Sequence, residues 1–366
     1  MMVRFAAALL CSVAATAAVV HAIAADGASE ERVTTVSDAG VKAPQKAEPR
    51  DPLAETAIWL SERSDPRQRA AGLLYRFSMM GRVQAARSGD DAIDAASTLD
   101  ELERAIERTT DGAALAWLAL ACSVAGIAEF CIERGLDEAI VSHDGGNFFS
   151  RATLRPRAGI DETRRLLLEA TVRRTYEPER VALWHEALQR YDWQAALDPR
   201  GVTLADAPFS ELSFALLAGF SSFSVPASLV EACESAPSGS AAIDRACREI
   251  ASEMGKRGRT ATHRLMGLQL LSKRARSSGD AELAVRLDAD LDELRNRFYC
   301  QSRALSAIAG HADAELQRDY VRWLHAGGEI GALERLAELA DLDCSSPPDV
   351  RAEALKQAGI DPAADT

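Results

Sequence analysis

Cysteine placement constrains this chain more than any other feature. Of its 366 residues, seven are cysteine. Cys11 lies inside an apolar N-terminal run, which leaves Cys122, Cys131, Cys233, Cys247, Cys300 and Cys344. Met1 to Arg4 is a short basic start, Phe5 to Val20 is apolar, and Val20-His21-Ala22 and Ala22-Ile23-Ala24 both fit a signal-peptidase site. The run is shorter than the roughly 20 residues a spanning helix needs. A Sec-type signal over residues 1–24, cut after Ala22 or Ala24, is the expectation, with a periplasmic or secreted product. An even cysteine count in an exported chain points to three disulfides, although six cysteines allow many pairings. Proximity favours Cys122–Cys131 and Cys233–Cys247, each across one helical hairpin, and Cys300–Cys344 follows by elimination. No C-x-x-C, no C-x-x-C-H and no Cys/His cluster of zinc spacing competes with that reading.

Alanine supplies about one residue in five, Leu, Arg and Glu are common, and Val and Ile are sparse. These are helix formers, and no segment alternates in the strand manner. The expected fold class is all-α, an irregular array of helical hairpins of α-solenoid or superhelix type, stapled by disulfides. Residues 25–50 lack a hydrophobic period and read as a linker. Asp51-Pro52 and Asp65-Pro66 each pair a cap with Pro at the first helical position. Hairpins then fill 51–194, an irregular connection occupies 195–208, and further hairpins fill 209–366. Within these, helices are expected over Ser97–Thr109, Asp111–Ala125, Ile127–Val141, Ile160–Thr175, Pro178–Tyr191, Ser240–Gly255, Thr260–Ser277, Asp280–Ala309, His311–Ala326 and Glu329–Leu342. Leu283, Leu287, Leu291, Leu294 and Phe298 form an apolar stripe, and Gly267 predicts close contact between helices.

Two hairpins carry tetratricopeptide features. Trp117, Leu120 and Ala121 stand at the spacings of that repeat's first helix, and Ile132, Leu136 and Ala139 follow. The Asp144-Gly145-Gly146-Asn147 turn is one residue out of register. Gly279-Asp280-Ala281-Glu282-Leu283-Ala284 is similar to the opening of a repeat's second helix, after a helix too long for the period of about 34 residues. The chain thus resembles a degenerate tetratricopeptide-repeat protein over about a fifth of its length. That resemblance implies a solenoid whose concave face binds a protein or peptide, and it implies no catalytic residue.

The net charge is −13, and −14 once Arg4 leaves with the signal. An acidic surface repels phosphate backbones and anionic membranes, so no nucleic-acid partner and no stable membrane insertion are expected. Eight arginines between Arg151 and Arg180 form the one basic stretch. Arg164, Arg165, Arg173 and Arg174 are candidate ligands for a small anion, against a plain solvated helix face. His143-Asp144 could be a general base with its orienter, but a Gly-rich helix end followed by an Asn147 cap explains the same residues. Trp184, His185, Tyr191 and Trp193 read as a hairpin core. Asp288, Asp290, Asp292 and Glu293 keep paired-carboxylate glycan cleavage open. No phosphate loop, nucleophile elbow or metal motif occurs, so neither cofactor nor metal is expected. The leading function is an exported, non-enzymatic scaffold for a protein or peptide partner. The rivals are an exported enzyme acting on cell-wall glycan and a module for a small anion.

Overall fold

The computed structural model describes residues 52–83, 91–176, 178–180, 182–183, 186, 228–234, 240–309 and 314–344. About 80% of these are helical, and none is in a strand. The expected signal, the linker, the 195–208 connection and the Trp184 aromatic group lie outside the described residues.

Helix α1 is Pro52–Ser61 and α2 is Pro66–Val83. Asp65 caps α2 by accepting the Gln68 N–H at 2.9 Å, as its Asp-Pro start predicts. Helix α3, Asp91–Arg108, begins earlier than its apolar stripe suggested. Helix α4, Gly112–Val124, is capped by Asp111, which accepts the Ala114 N–H and also binds Arg67. Every residue of α4 from Ala113 to Cys122 is buried, as a helix apolar all round must be. Gly126, at φ +73°, ends it. The single helix expected over Ile127–Val141 is instead two, α5 (Ala128–Glu133) and α6 (Leu136–His143). Gly135 between them takes a left-handed conformation that breaks the ladder. These six helices share one core built around Trp117, Leu118 and Leu73.

Helix α7 (Phe148–Thr153) and α8 (Ile160–Glu169) pack with α9 (Ser228–Glu234) and α10 (Ala241–Ser252) in a second core containing Phe148, Leu166, Leu229 and Ile250. Helix α8 stops at Glu169, six residues before the expected end. The β-branched Thr171 and Val172 leave the helix because the 145–148 loop takes their backbone. Thr171 N–H donates to Gly145 O, Phe148 N–H to Val172 O, and Asn147 bonds both polar groups of the Arg174 backbone.

Helix α10 runs into a π-helical turn, Glu253–Arg257, and α11 (Ala261–Ser277) returns against it. A Cβ on Gly267 would come within 2.4 Å of Gly255 N, so this crossing does require glycine. Gly279 (φ +80°) and the cap Asp280 turn the chain into α12, Ala281–Ala309. Helix α13, Ala314–Leu339, is bent at Gly328 (φ 71°, ψ −172°), between the two helices read from the sequence. The bend lays the second half of α13 near residues 297–300 of α12, around a third core that includes Leu333 and Leu336.

Each core holds one disulfide: Cys122–Cys131 (Cα–Cα 6.3 Å), Cys233–Cys247 (5.9 Å) and Cys300–Cys344 (5.7 Å). These are the pairs that the sequence favours. In the last pair Cys300 lies in the body of α12, so this bridge does not span a single hairpin turn as the first two do. Among the described residues no helix is long and apolar enough to cross a membrane.

A basic cleft and the fate of the sequence candidates

The four candidate arginines do not converge. Arg164 lies 3.6 Å from Asp161 and reaches the Ala232 carbonyl at 3.5 Å. Arg165 bonds Glu169 at 2.9 Å. Arg173 donates to Glu249 at 2.7 Å and to the Leu167 carbonyl at 2.9 Å. Arg174 pairs with Glu179 at 2.5 Å and lies 4.9 Å over the Tyr176 ring. Arg164 and Arg173 thus tie α8 and the chain after it to α9 and α10, while Arg165 and Arg174 pair with acids close by in the chain.

The His143–Asn147 loop is likewise internal structure. His143 is exposed, while Asp144 is buried and accepts the Tyr176 hydroxyl at 2.5 Å. No imidazole–carboxylate bond joins the two among the described residues. Burial raises the Asp144 pKa, and the hydrogen bonds from Tyr176 and Asn147 offset this only in part. Burial and the same carboxylate raise the Tyr176 hydroxyl as well. Gly112 leaves room for this pair, since a Cβ there would sit 2.6 Å from Asp144 Oδ1. At Gly145 (φ +55°) a Cβ would strike Thr171 at 2.3 Å.

Beside the loop lies an ionic cluster that the sequence reading did not separate from the basic stretch. Arg151 bonds Asp137 through Nε at 2.9 Å and Nη2 at 3.1 Å, and Arg155 holds both oxygens of the same carboxylate at 2.9 Å. Arg151 also reaches Glu169 at 2.8 Å. Burial works to raise the Asp137 pKa, but the two arginines outweigh it and hold the acid below its usual value. Three of the four candidate carboxylates of α12 are engaged, Asp288 by Ser272 and Arg276 of α11, Asp292 by Arg295 and Glu293 by Arg297. Among the described residues no group of three or more His, Cys, Asp or Glu is placed to hold a metal ion.

The structure instead shows an open cleft of about 380 Å³ where the π-helical turn, the start of α11 and the bend of α13 meet. Lys256, Arg257, Arg259 and Arg264 line it, with Gly258, Gly327 and Pro178 among its other walls. The bend is locked to the connector beneath it. Glu329 N–H donates to Arg259 O at 2.8 Å, and the Glu329 carboxylate accepts Ala261 N–H at 2.8 Å. A Cβ at Gly328 would lie 2.7 Å from Arg259 O, and its φ is left-handed, so glycine is required on both counts.

Two backbone carbonyls aim the cleft's inner guanidiniums. Arg259 Nη1 donates to His325 O at 2.6 Å, and Arg264 Nε donates to Gly258 O at 3.2 Å. Neither arginine pairs with a carboxylate among the described residues. Arg257 lies 3.3 Å from Glu253, whose pKa burial raises. A π-turn adds a residue to a helical turn and often marks a functional site; here it carries two of the four cations. The signal for these residues was available as the Lys256-Arg257-Gly258-Arg259 run, but a charge run between helices reads as solvated surface until the fold encloses it.

Comparison with protein families, with curated proteins and with solved structures found no match to this chain.

Proposed function

We propose that the protein is an exported, non-enzymatic helical scaffold that presents its hairpins to a protein or peptide partner in the periplasm or outside the cell. The observation that carries this is one disulfide in each of the three cores. Covalent staples of this kind persist in oxidising compartments and fix the relative placement of helices. The N-terminal basic start, apolar run and Ala-x-Ala-like sites support export by the same logic. The hairpins around Trp117 and Gly279 support a tetratricopeptide-like solenoid as the mode of presentation. The polar groups that could have formed a catalytic pair, His143 with Asp144, sit too differently to work together, one exposed and one buried against Tyr176.

A pull-down from periplasmic extract tests the reading with oxidised and with reduced protein as bait. A partner retained only by the oxidised form is the expected result. Release of soluble fragments from peptidoglycan by the purified chain would replace the scaffold with the glycan-cleaving enzyme. Recovery of the chain from the cell with Met1 intact would remove export from the proposal.

A further inference from the structure

We propose that the cleft lined by Lys256, Arg257, Arg259 and Arg264 binds a small dianionic ligand of the phosphate-monoester class. This stands apart from the scaffold reading, because it rests on the cleft alone and needs neither export nor a partner protein.

The charge pattern is the first argument. In a chain of net charge −13, four cations gather within nine residues and face one space. The carboxylates described beside them are Glu253, next to Arg257, and Glu329, engaged with Ala261 N–H. The Arg174–Glu179 pair lies nearby and is neutral as a unit. Four cations against two carboxylates leave a surplus of two positive charges. A phosphate monoester carries about −1.5 to −2 near neutral pH, which balances that surplus, whereas one carboxylate does not.

The second argument is how the cations are held. Arg259 and Arg264 are half-buried and bonded to backbone carbonyls, so their orientation is fixed before any ligand arrives. Carbonyls do not neutralise a guanidinium. An incoming oxyanion would supply the charge-assisted bonds that the chain itself leaves out. The cations come from three segments: the π-turn, the connector and α11. A tetrahedral phosphoryl group offers three acceptor oxygens in different directions and can meet such a set together, while a planar carboxylate presents one edge.

Size is the third argument. About 380 Å³ lies at the lower end of the range for small-molecule sites, roughly 300–1,000 Å³. Two of the amides at the start of α11 are already used, since Glu329 takes Ala261 N–H and Thr260 takes His263 N–H. Recognition therefore falls to the side chains.

The test is calorimetric titration of the full oxidised chain with glucose 6-phosphate, inorganic phosphate, succinate and glucose. Saturable binding is expected for glucose 6-phosphate, with inorganic phosphate weaker, succinate at least 10-fold weaker and glucose inert. Arg264→Gln should weaken glucose 6-phosphate by 10-fold or more. Lys256→Gln should do the same without disturbing the fold, because Lys256 is exposed and makes no other bond among the described residues. Arg286→Gln is the control: it removes the same charge from an exposed site on α12 and should leave affinity unchanged. Raising salt should weaken binding. Absence of saturable binding, affinity for succinate equal to that for the sugar phosphate, or an equal loss in Arg286→Gln would each overturn the proposal.

Discussion

Arg151 is 5% exposed and holds Asp137 through two bonds while sharing it with Arg155. Two arginines on one carboxylate offset a desolvation cost that neither ion would bear alone, and removing a partner leaves a buried charge behind. Arg151→Met should therefore cost about 3 kcal/mol, the lower end for breaking a buried pair because Arg155 remains. Denaturant unfolding measures it, and the double variant with Asp137→Ala should cost less than the sum of the two single changes. A loss under 1 kcal/mol for Arg151→Met would show that the cluster is dispensable. Asp144 behaves in the opposite sense. Its folded-state pKa is raised above the ordinary 3.8, so its contribution to stability is present below that value and is lost as pH rises through the folded one. Asp144→Asn keeps an acceptor for Tyr176 and removes the titration. The variant's melting temperature relative to the parent should be higher at pH 7 than at pH 4. A difference independent of pH would contradict the burial of this acid.

At the scale of elements, close contacts decide where glycine is needed. Gly267 faces Gly255 where α11 crosses the π-turn, and α11 would gain up to about 1 kcal/mol of helix propensity from alanine there. The missing space outweighs that gain, since the added Cβ would meet backbone N at 2.4 Å and backbone cannot rotate aside. Gly267→Ala should lower stability by about 1–3 kcal/mol, as overpacking does; a rise in the thermal midpoint would refute the contact. Helix α12 shows the limit of periodicity. Leu291 of its apolar stripe is buried, but Leu283 is exposed and Leu287, Leu294 and Phe298 are only half-buried. The stripe fixes which side of the helix is apolar, and the neighbouring helices decide how much of it they cover.

For the whole molecule, the disulfides rank by the chain they enclose. The separations are 9, 14 and 44 residues. Loop-closure entropy gives about 2.6, 3 and 4 kcal/mol for such loops. Replacing Cys300 and Cys344 together with serine should lower stability more than replacing Cys122 with Cys131. Chemical denaturation of the two double variants decides the order, and the reverse order would mean that packing within a core outweighs loop length. Full reduction should lower the thermal midpoint further than either pair, because each core loses its own staple.

The features the sequence determined by itself act within a few residues along the chain. Asp65-Pro66, Asp111, Gly126 and Gly279-Asp280 set helix ends through caps and left-handed turns, which need only their near neighbours. Helix-forming composition settled the class, and short spacing drew Cys122 to Cys131 and Cys233 to Cys247. What the tertiary structure alone decided joins residues far apart in the chain. Residues 171–176 have helical neighbours on their N-terminal side, yet the backbone of Gly145 and Phe148 and the side chain of Asn147 hold them out of the helix. Arg173 meets Glu249 across 76 residues, and Glu329 caps Ala261 across 68. The second of these contacts helps assemble the basic cleft, where cations from the π-turn, the connector and α11 come to share a wall. A hydrogen bond at an N-cap is fixed by bond lengths and a turn, whereas a pairing across 70 residues depends on the whole path between them, which no local pattern encodes.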